Sequence, residues 1–143
     1  MSFDSIYNIA GSAMRAQTVR LDTVASNLAN ADSVAGSEAG AYHSIHPIFS
    51  TVYQDALSDS TDSVGVSVDV TGVMKDTGTQ IEKEYDPNNP LADTNGYIYR
   101  SNVDNMQEMA DMMSASRSFE SAVQVLKRVD SMQDGLLNLG QSS

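Results

Sequence analysis

The 143-residue chain has no cysteine, no tryptophan and only three prolines. Without cysteine there are no disulfides, no thiolate metal sites and no thiol nucleophile, so the chain is indifferent to the redox state of its compartment. Aromatic residues are 6% of the total against 41% hydrophobic residues, so any core is built from Ala, Val, Leu, Ile and Met. Bases are also scarce. Eight Lys and Arg face nineteen Asp and Glu, a formal charge of −11, the wrong sign for holding nucleic-acid phosphates or anionic lipid. No apolar run approaches the roughly 20 residues of a spanning helix. The opening Met1-Ser2-Phe3-Asp4-Ser5 has neither the basic region nor the apolar stretch of a cleavable signal peptide. Neither nucleic acid nor direct membrane insertion is expected.

The missing bases are unevenly missing. Residues 1–31 carry two acids and two bases, and residues 112–143 carry three of each, so the whole −11 falls in residues 32–111. Burying net charge is costly and solvating it is cheap, so the neutral ends are the segments suited to close packing.

Both ends carry an apolar stripe. Phe3, Tyr7, Ala10, Met14, Gln17, Leu21, Val24, Leu28 and Ala31 recur in alternating steps of four and three, a heptad seam that holds one face of a helix against a partner. Near the other end, Met112, Ala115, Phe119, Ala122, Leu126, Val129, Gln133 and Leu136 repeat the pattern. Beside it runs a second row, Ala122, Val125, Val129, Met132, Leu136 and Leu139, making this face wider than a two-helix seam needs. It is expected to touch more than one neighbour. Ser101 with Asp104 reads as a helix start, and Gly140 as a stop.

Residues 32–100 hold all the prolines and most of the glycines. Val64, Val66, Val68 and Val70 alternate with small or polar residues, the pattern of a half-buried strand. Tyr42–Tyr53, Gln80–Tyr85 and Tyr97–Tyr99 are further strand candidates. Asn95-Gly96 reads as a tight turn, and 32–41 and 54–63 as polar loops. The predicted organisation is an N-terminal helix in 1–31, an acidic β-rich middle in 32–100 and a C-terminal helix in 101–143. The fold class is α+β: long terminal helices packed as a coiled-coil-like rod core, with a small β-rich insertion at one end. A helix over 102–139 would run roughly 57 Å, against about 35–40 Å for the diameter of a compact globule of this size. An elongated subunit follows, with its stripes completed by other chains and its ends folding only on docking.

No assembled chemical site is evident. His43 and His46 stand three apart, a spacing that serves a metal only in a helix, and Pro47 pushes His46 towards extended geometry. Met106, Met109, Met112 and Met113 step as a helix face, reading as an adaptable apolar interface rather than a soft-metal box. Asp55, Asp59 and Asp62 lack the alternating spacing of a calcium loop. Glycine-rich phosphate loops and a nucleophile elbow are absent. No cofactor and no enzymatic activity are expected.

Three stretches resemble one family. Ala25-Ser26-Asn27-Leu28-Ala29-Asn30-Ala31-Asp32 is similar to the N-terminal signature of bacterial flagellar rod and hook proteins. Asn89-Pro90-Leu91-Ala92-Asp93-Thr94-Asn95-Gly96-Tyr97-Ile98 resembles a segment characteristic of a proximal-rod branch. Ser101-Asn102-Val103-Asp104 and Met113-Ser114-Ala115-Ser116-Arg117-Ser118-Phe119-Glu120 resemble the family's C-terminal helix. The resemblance implies a structural subunit of the basal-body rod, the drive shaft crossing the periplasm. It implies export through the flagellar type III apparatus without a cleaved signal. Partners would be other copies, other rod proteins of the proximal and distal rod, and the export-gate or ring adaptor at the rod base. Residues 33–80 match poorly. Asn27 and Asn30 read either as helix-terminal polar residues or as hydrogen bonds fixing the bend between helix and middle. Arg117 reads as a solvated charge or as an intersubunit partner for an acid. A soluble acidic coiled-coil adaptor or export chaperone is the alternative, and a small metal enzyme around His43 and His46 a third reading.

Overall fold

The structure is a computed structural model that describes residues 3–54 and 65–141. It is an α+β protein with two long terminal helices and a β middle. Helix α1 spans Phe3–Asn30 and helix α2 spans Asn105–Gln141. At about 1.5 Å per residue, the 37 residues of α2 extend roughly 55 Å.

The helices pack side by side and antiparallel. Tyr7 hydrogen-bonds Asp130, Arg20 pairs with Asp111 at 2.7 Å, and Asn27 meets Glu108 at 2.8 Å. Residues rising along α1 therefore meet residues falling along α2. Ala10, Val24 and Ala31 of the first stripe are buried, as are Ala115 and Val129 of α2. Phe3, Tyr7, Met14, Leu21 and Leu28 are half-buried, as are Met112, Phe119, Ala122 and Leu126.

Helix α2 begins one turn later than the Ser101 start. Asp104 is the capping residue, its Oδ1 accepting from the amides of Met106 and Gln107 at 2.8 and 3.2 Å. Gly140 does not stop the helix, which runs to Gln141.

The middle forms two sheets. Strands β2 (Ile45–Gln54) and β3 (Gly65–Lys75) make a long antiparallel hairpin, and β1 (Val34–Ala35), β5 (Tyr97–Arg100) and β4 (Lys83–Tyr85) make a three-stranded sheet in that order. The small sheet ties the exit of α1 to the entry of α2, because β1 follows one and β5 precedes the other. The Ser101 amide bonding Ser33 O at 3.1 Å extends that tie. The polar segment 32–41, read as a loop, thus includes a strand pair to β5 and a one-turn 3-10 helix at Glu38–Gly40.

The hairpin does not sit at one end of the rod of helices. It lies along α1, with Ile45 beside Asn27 and the Val68 amide donating to Ser12 Oγ at 3.3 Å. Close approach is possible because the α1 residues beneath it are small: Ser12, Ala16 and Thr23 are all buried. These belong to a second row of α1 that the apolar stripe does not include.

Period-two alternation holds in β3, but neither of its sides is fully covered. Phe49 pairs with Val70 and Thr51 with Val68 on one face, while Ser50 pairs with Asp69 and Val52 with Ser67 on the other. On the first face Phe49, Val66 and Val68 are exposed and Val70 half-buried; on the second Val52 and Asp69 are exposed and Ser50 and Ser67 half-buried. The two-residue period fixes which residues share a face, and each face of the hairpin holds both exposed and half-buried residues, so α1 covers neither completely. Val64 and the acids Asp55, Asp59 and Asp62 lie outside the described residues.

Candidate assembly surface and helix junction

Two features distinguish this chain from a self-contained bundle. One is the uncovered part of α2. Its stripe Met112, Ala115, Phe119, Ala122, Leu126 and Val129 lies on the side buried against the subunit. Much of the second row does not. Val125 is 45% exposed, Met132 61% and Leu136 56%, and Leu137 and Leu139 are exposed as well. The covered part of the apolar face of α2 ends at Val129; beyond it Met132, Leu136, Leu137 and Leu139 face outward, as Val125 does earlier. Met106, Met109 and Met113 form a further exposed apolar patch near the start of α2, while Met112 turns inward.

The other feature is the junction at Asn27, whose side chain is completely buried. Its Nδ2 donates to Ile45 O at 2.9 Å and to Glu108 Oε1 at 2.8 Å. Its Oδ1 accepts from the Ile45 amide at 2.9 Å and from Tyr42 Oη at 3.1 Å. Both donors and both acceptor positions of the amide are filled. One residue of α1 thereby holds the first residue of β2, the segment before it and α2. Asn30, by contrast, bonds only locally, donating to Ser26 O at 2.8 Å. The two asparagines of the signature thus differ in their bonds: Asn27 links α1 to β2 and α2, and Asn30 bonds within the helix end.

A second amide works alongside. Asn102 Oδ1 accepts from the Ser44 amide at 2.7 Å and its Nδ2 donates to Asp76 O at 3.1 Å, pinning the ends of the hairpin to the approach to α2. Asp76 accepts from the Thr79 hydroxyl and from the amides of Gly78 and Thr79. These bonds hold its carboxyl below the usual range. Glu108, only 3% exposed, is pushed up by burial against the opposing pull of the Asn27 hydrogen bond. Its Oε2 is buried with no hydrogen-bond partner among the described residues.

The segment Asn89 to Ile98 folds as two consecutive side-chain-capped turns. Asn89 Oδ1 accepts from the Leu91 amide at 3.0 Å, and Asp93 Oδ1 accepts from the amides of Asn95 and Tyr97 at 2.8 and 2.9 Å. Gly96 has φ of 77°, the left-handed conformation that glycine adopts without strain. Leu91 and Pro90 are exposed, but the Leu91 carbonyl abuts Gly36, where an added Cβ would come within 2.8 Å of its oxygen.

The remaining candidates are dispersed. His43 Nδ1 lies 3.1 Å from Asp76 O, and His46 lines a neighbouring cavity. Among the described residues no three His, Asp or Glu side chains converge as metal ligands. Arg117 is exposed on α2, with no ion pair among the described residues, and Ser26 Oγ lies 3.1 Å from Tyr42 Oη. No described helix is long and apolar enough to cross a membrane. Sequence reasoning passed over Glu108 and Asn102, whose roles depend on contacts with distant residues. It also passed over Ser12, Ala16, Val19 and Thr23, although their steps of four, three and four were there to be read.

Comparison with known proteins finds relatives along nearly the whole chain. Residues 8–36 match the family described as "Flagella basal body rod protein", and residues 94–139 match "Flagellar basal body rod FlgEFG protein C-terminal". Over 141 residues, 99% of this chain and 100% of the relative, the sequence is 42% identical to the flagellar basal-body rod protein FlgC of Salmonella typhimurium. The corresponding identity is 40% to FlgC of Yersinia enterocolitica and 37% to FlgC of Buchnera aphidicola subsp. Schizaphis graminum, with the same coverage.

Proposed function

The chain belongs to the FlgC family of flagellar basal-body rod proteins, and from that premise we propose how it assembles. As a member it is a structural subunit of the basal-body rod and not an enzyme, and it assembles with other rod components. The adaptor or chaperone alternative is not favoured, since the relatives matched along its whole length are rod proteins.

Assembly proceeds through the terminal helices. Residues 1–31 and 101–143 form the core-facing unit, and residues 32–100, which hold most of the acids, face outward. The α1 stripe of Phe3, Tyr7, Ala10, Met14, Leu21, Val24, Leu28 and Ala31 packs on Met112, Ala115, Phe119, Ala122, Leu126 and Val129 in coiled-coil fashion. The row containing Val125, Met132 and Leu136 is completed by neighbouring subunits. The observation that carries this reading is the exposure of Met132 and Leu136, at 61% and 56%, on a helix whose stripe from Met112 to Val129 is buried or half-buried. Monomeric proteins rarely leave such a contiguous apolar patch in water. This uncovered end gains its order on docking.

The subunit belongs to the proximal rod in the periplasm and is exported without a cleaved signal. It contacts the export-gate or ring adaptor at the rod base as well as its own copies. The motif residues Ser26, Asn27 and Asn30, with Asn89, Pro90, Leu91, Asn95 and Gly96, keep the middle in a fixed orientation to the helices, and Arg117 is offered to an acid of a neighbour. The test is incorporation of Met132→Asp and Leu136→Asp chains into rods. Both change exposed positions, so the free subunit keeps its fold and incorporation is lost. Normal incorporation of both would refute the reading.

A further inference from the structure

A cavity of about 290 Å³ lies at the junction of β2, the segment after β3 and the start of α2, and its lining includes His46, Asp76, Thr79, Asp104 and Glu108. Three of these are carboxylic acids. None of the chain's own Lys or Arg side chains lines it. Arg20 is paired with Asp111, Arg100 with Glu84 and Asp32, and Lys83 lies over Tyr97. The site is therefore acidic without a lysine or arginine of its own to balance it, and His46 is the one lining side chain able to become positive.

Acidity alone would mean little at a solvated surface, but Glu108 is not at one. It is 3% exposed, and one carboxyl oxygen is held by Asn27 while the other has no partner among the described residues. A buried oxygen without a partner is costly, on the order of 1–3 kcal/mol for a neutral group and more for a charged one. A carboxyl in a stable, isolated fold would be expected to complete its bonds or be replaced by an amide. We propose that this cavity is a socket for the lysine or arginine side chain of a neighbouring rod subunit, which completes Glu108 on docking. The inference rests on the rod-subunit reading.

A basic side chain fits better than a metal ion, because no three metal-binding side chains converge here among the described residues. It also fits better than an anion. The start of α2 contributes roughly half a positive charge, which the three carboxyls outweigh, and Asp104 already caps that helix end. Glu108 lines the cavity, and with Oε1 kept on Asn27 it is Oε2 that is left to accept from an incoming nitrogen. Neighbouring copies carry suitable groups: Arg117, Lys127 and Arg128 are exposed on α2.

Two experiments test the socket. In a density map of assembled rods containing this chain, a Lys or Arg nitrogen of a neighbour should lie within hydrogen-bonding distance of Glu108. A cavity holding water, a metal ion or an apolar side chain would overturn the inference while leaving the rod-subunit reading intact, whereas a rod lacking the chain would overturn that reading itself. In the second, Glu108→Gln keeps the acceptor for Asn27 and removes the charge. The Ile45 amide should retain its protection from hydrogen exchange in the free subunit, while incorporation into rods falls about tenfold or more. Should Glu108→Gln lose that protection, Asp104→Asn, which keeps the capping acceptor, should still lower incorporation. Undiminished incorporation of a folded Glu108→Gln chain, or of Asp104→Asn, would overturn the socket.

Discussion

Asn27 and Glu108, 81 positions apart, meet at 2.8 Å in the interior, and the same Asn27 side chain exchanges two hydrogen bonds with the backbone of Ile45. Helix α1, helix α2 and the hairpin are thus registered on one amide. Replacing Asn27 with Ala would strand the Ile45 amide and carbonyl and Glu108 together, and would leave Tyr42 Oη only its contact with Ser26 Oγ. Each buried group left without a partner costs about 1–3 kcal/mol, so Asn27→Ala should destabilise the junction by about 3 kcal/mol or more. Hydrogen exchange at Ile45 would read the loss directly, and protection equal to wild type would contradict the role assigned here.

Asn27→Asp is expected to behave differently with pH. It keeps the acceptors for Ile45 and Tyr42 but sets a second carboxyl against Glu108, and two such groups cannot both ionise cheaply at hydrogen-bonding distance. The variant should be least stable at neutral pH and regain protection as the pH is lowered and one carboxyl takes up a proton. Equal loss at pH 5 and pH 8 would rule this out.

Glu108 itself has its ionisation shifted upward by burial. A raised folded value means the protonated carboxyl is the form the fold prefers. Its contribution is therefore fully present below the ordinary carboxylate range and is lost as pH rises through the raised folded value. At neutral pH the ionised group burdens the free subunit. Glu108→Gln should raise the midpoint of junction unfolding at pH 7 by about 2–4 °C and flatten its pH dependence. A lowered midpoint at pH 7 would show that the carboxylate stabilises the free subunit.

At Gly36 an added Cβ would stand 2.8 Å from the Leu91 carbonyl oxygen, a backbone atom that cannot swing aside. At Gly96 the positive φ and the nearby Tyr85 ring and Pro87 both oppose a side chain. Gly36→Ala and Gly96→Ala should each cost about 1–3 kcal/mol, seen as increased exchange of the Tyr97 and Tyr99 amides in β5. The helices paired by Arg20 and Asp111 should be little affected.

The helices and strands were legible because their signals are local. Steps of three and four marked Phe3 to Ala31 and Met112 to Leu136, and alternation marked Val66 to Val70. What covers each face was not local. The Ser12, Ala16, Val19 and Thr23 row carries too little apolar character to stand out beside the Phe3 stripe, yet its small size is what lets the hairpin lie against α1. The alternation of the β3 valines marks a half-buried strand, but it does not say which element would cover either face. Glu108 looks in sequence like any acid in the first turn of a helix. Only the fold brings Asn27 to it.

Leu28→Asp and Leu126→Asp follow from the apolar pattern as tests of assembly, but both residues are half-buried on helices that pack on each other. They would damage the subunit as well as its contacts. Substitutions at Met132 and Leu136 separate the two effects.

The absence of cysteine from the chain provides the most direct test of assembly through the uncovered row of α2. Single Met132→Cys and Leu136→Cys chains, with exposed Ser118→Cys for comparison, can be treated with a maleimide as free subunits and in purified rods, and labelling of this chain read by mass. Both helix positions should label quickly in the free subunit and be protected at least tenfold in the rod. Equal labelling of Met132→Cys and Leu136→Cys in rods and in free subunits would contradict the account.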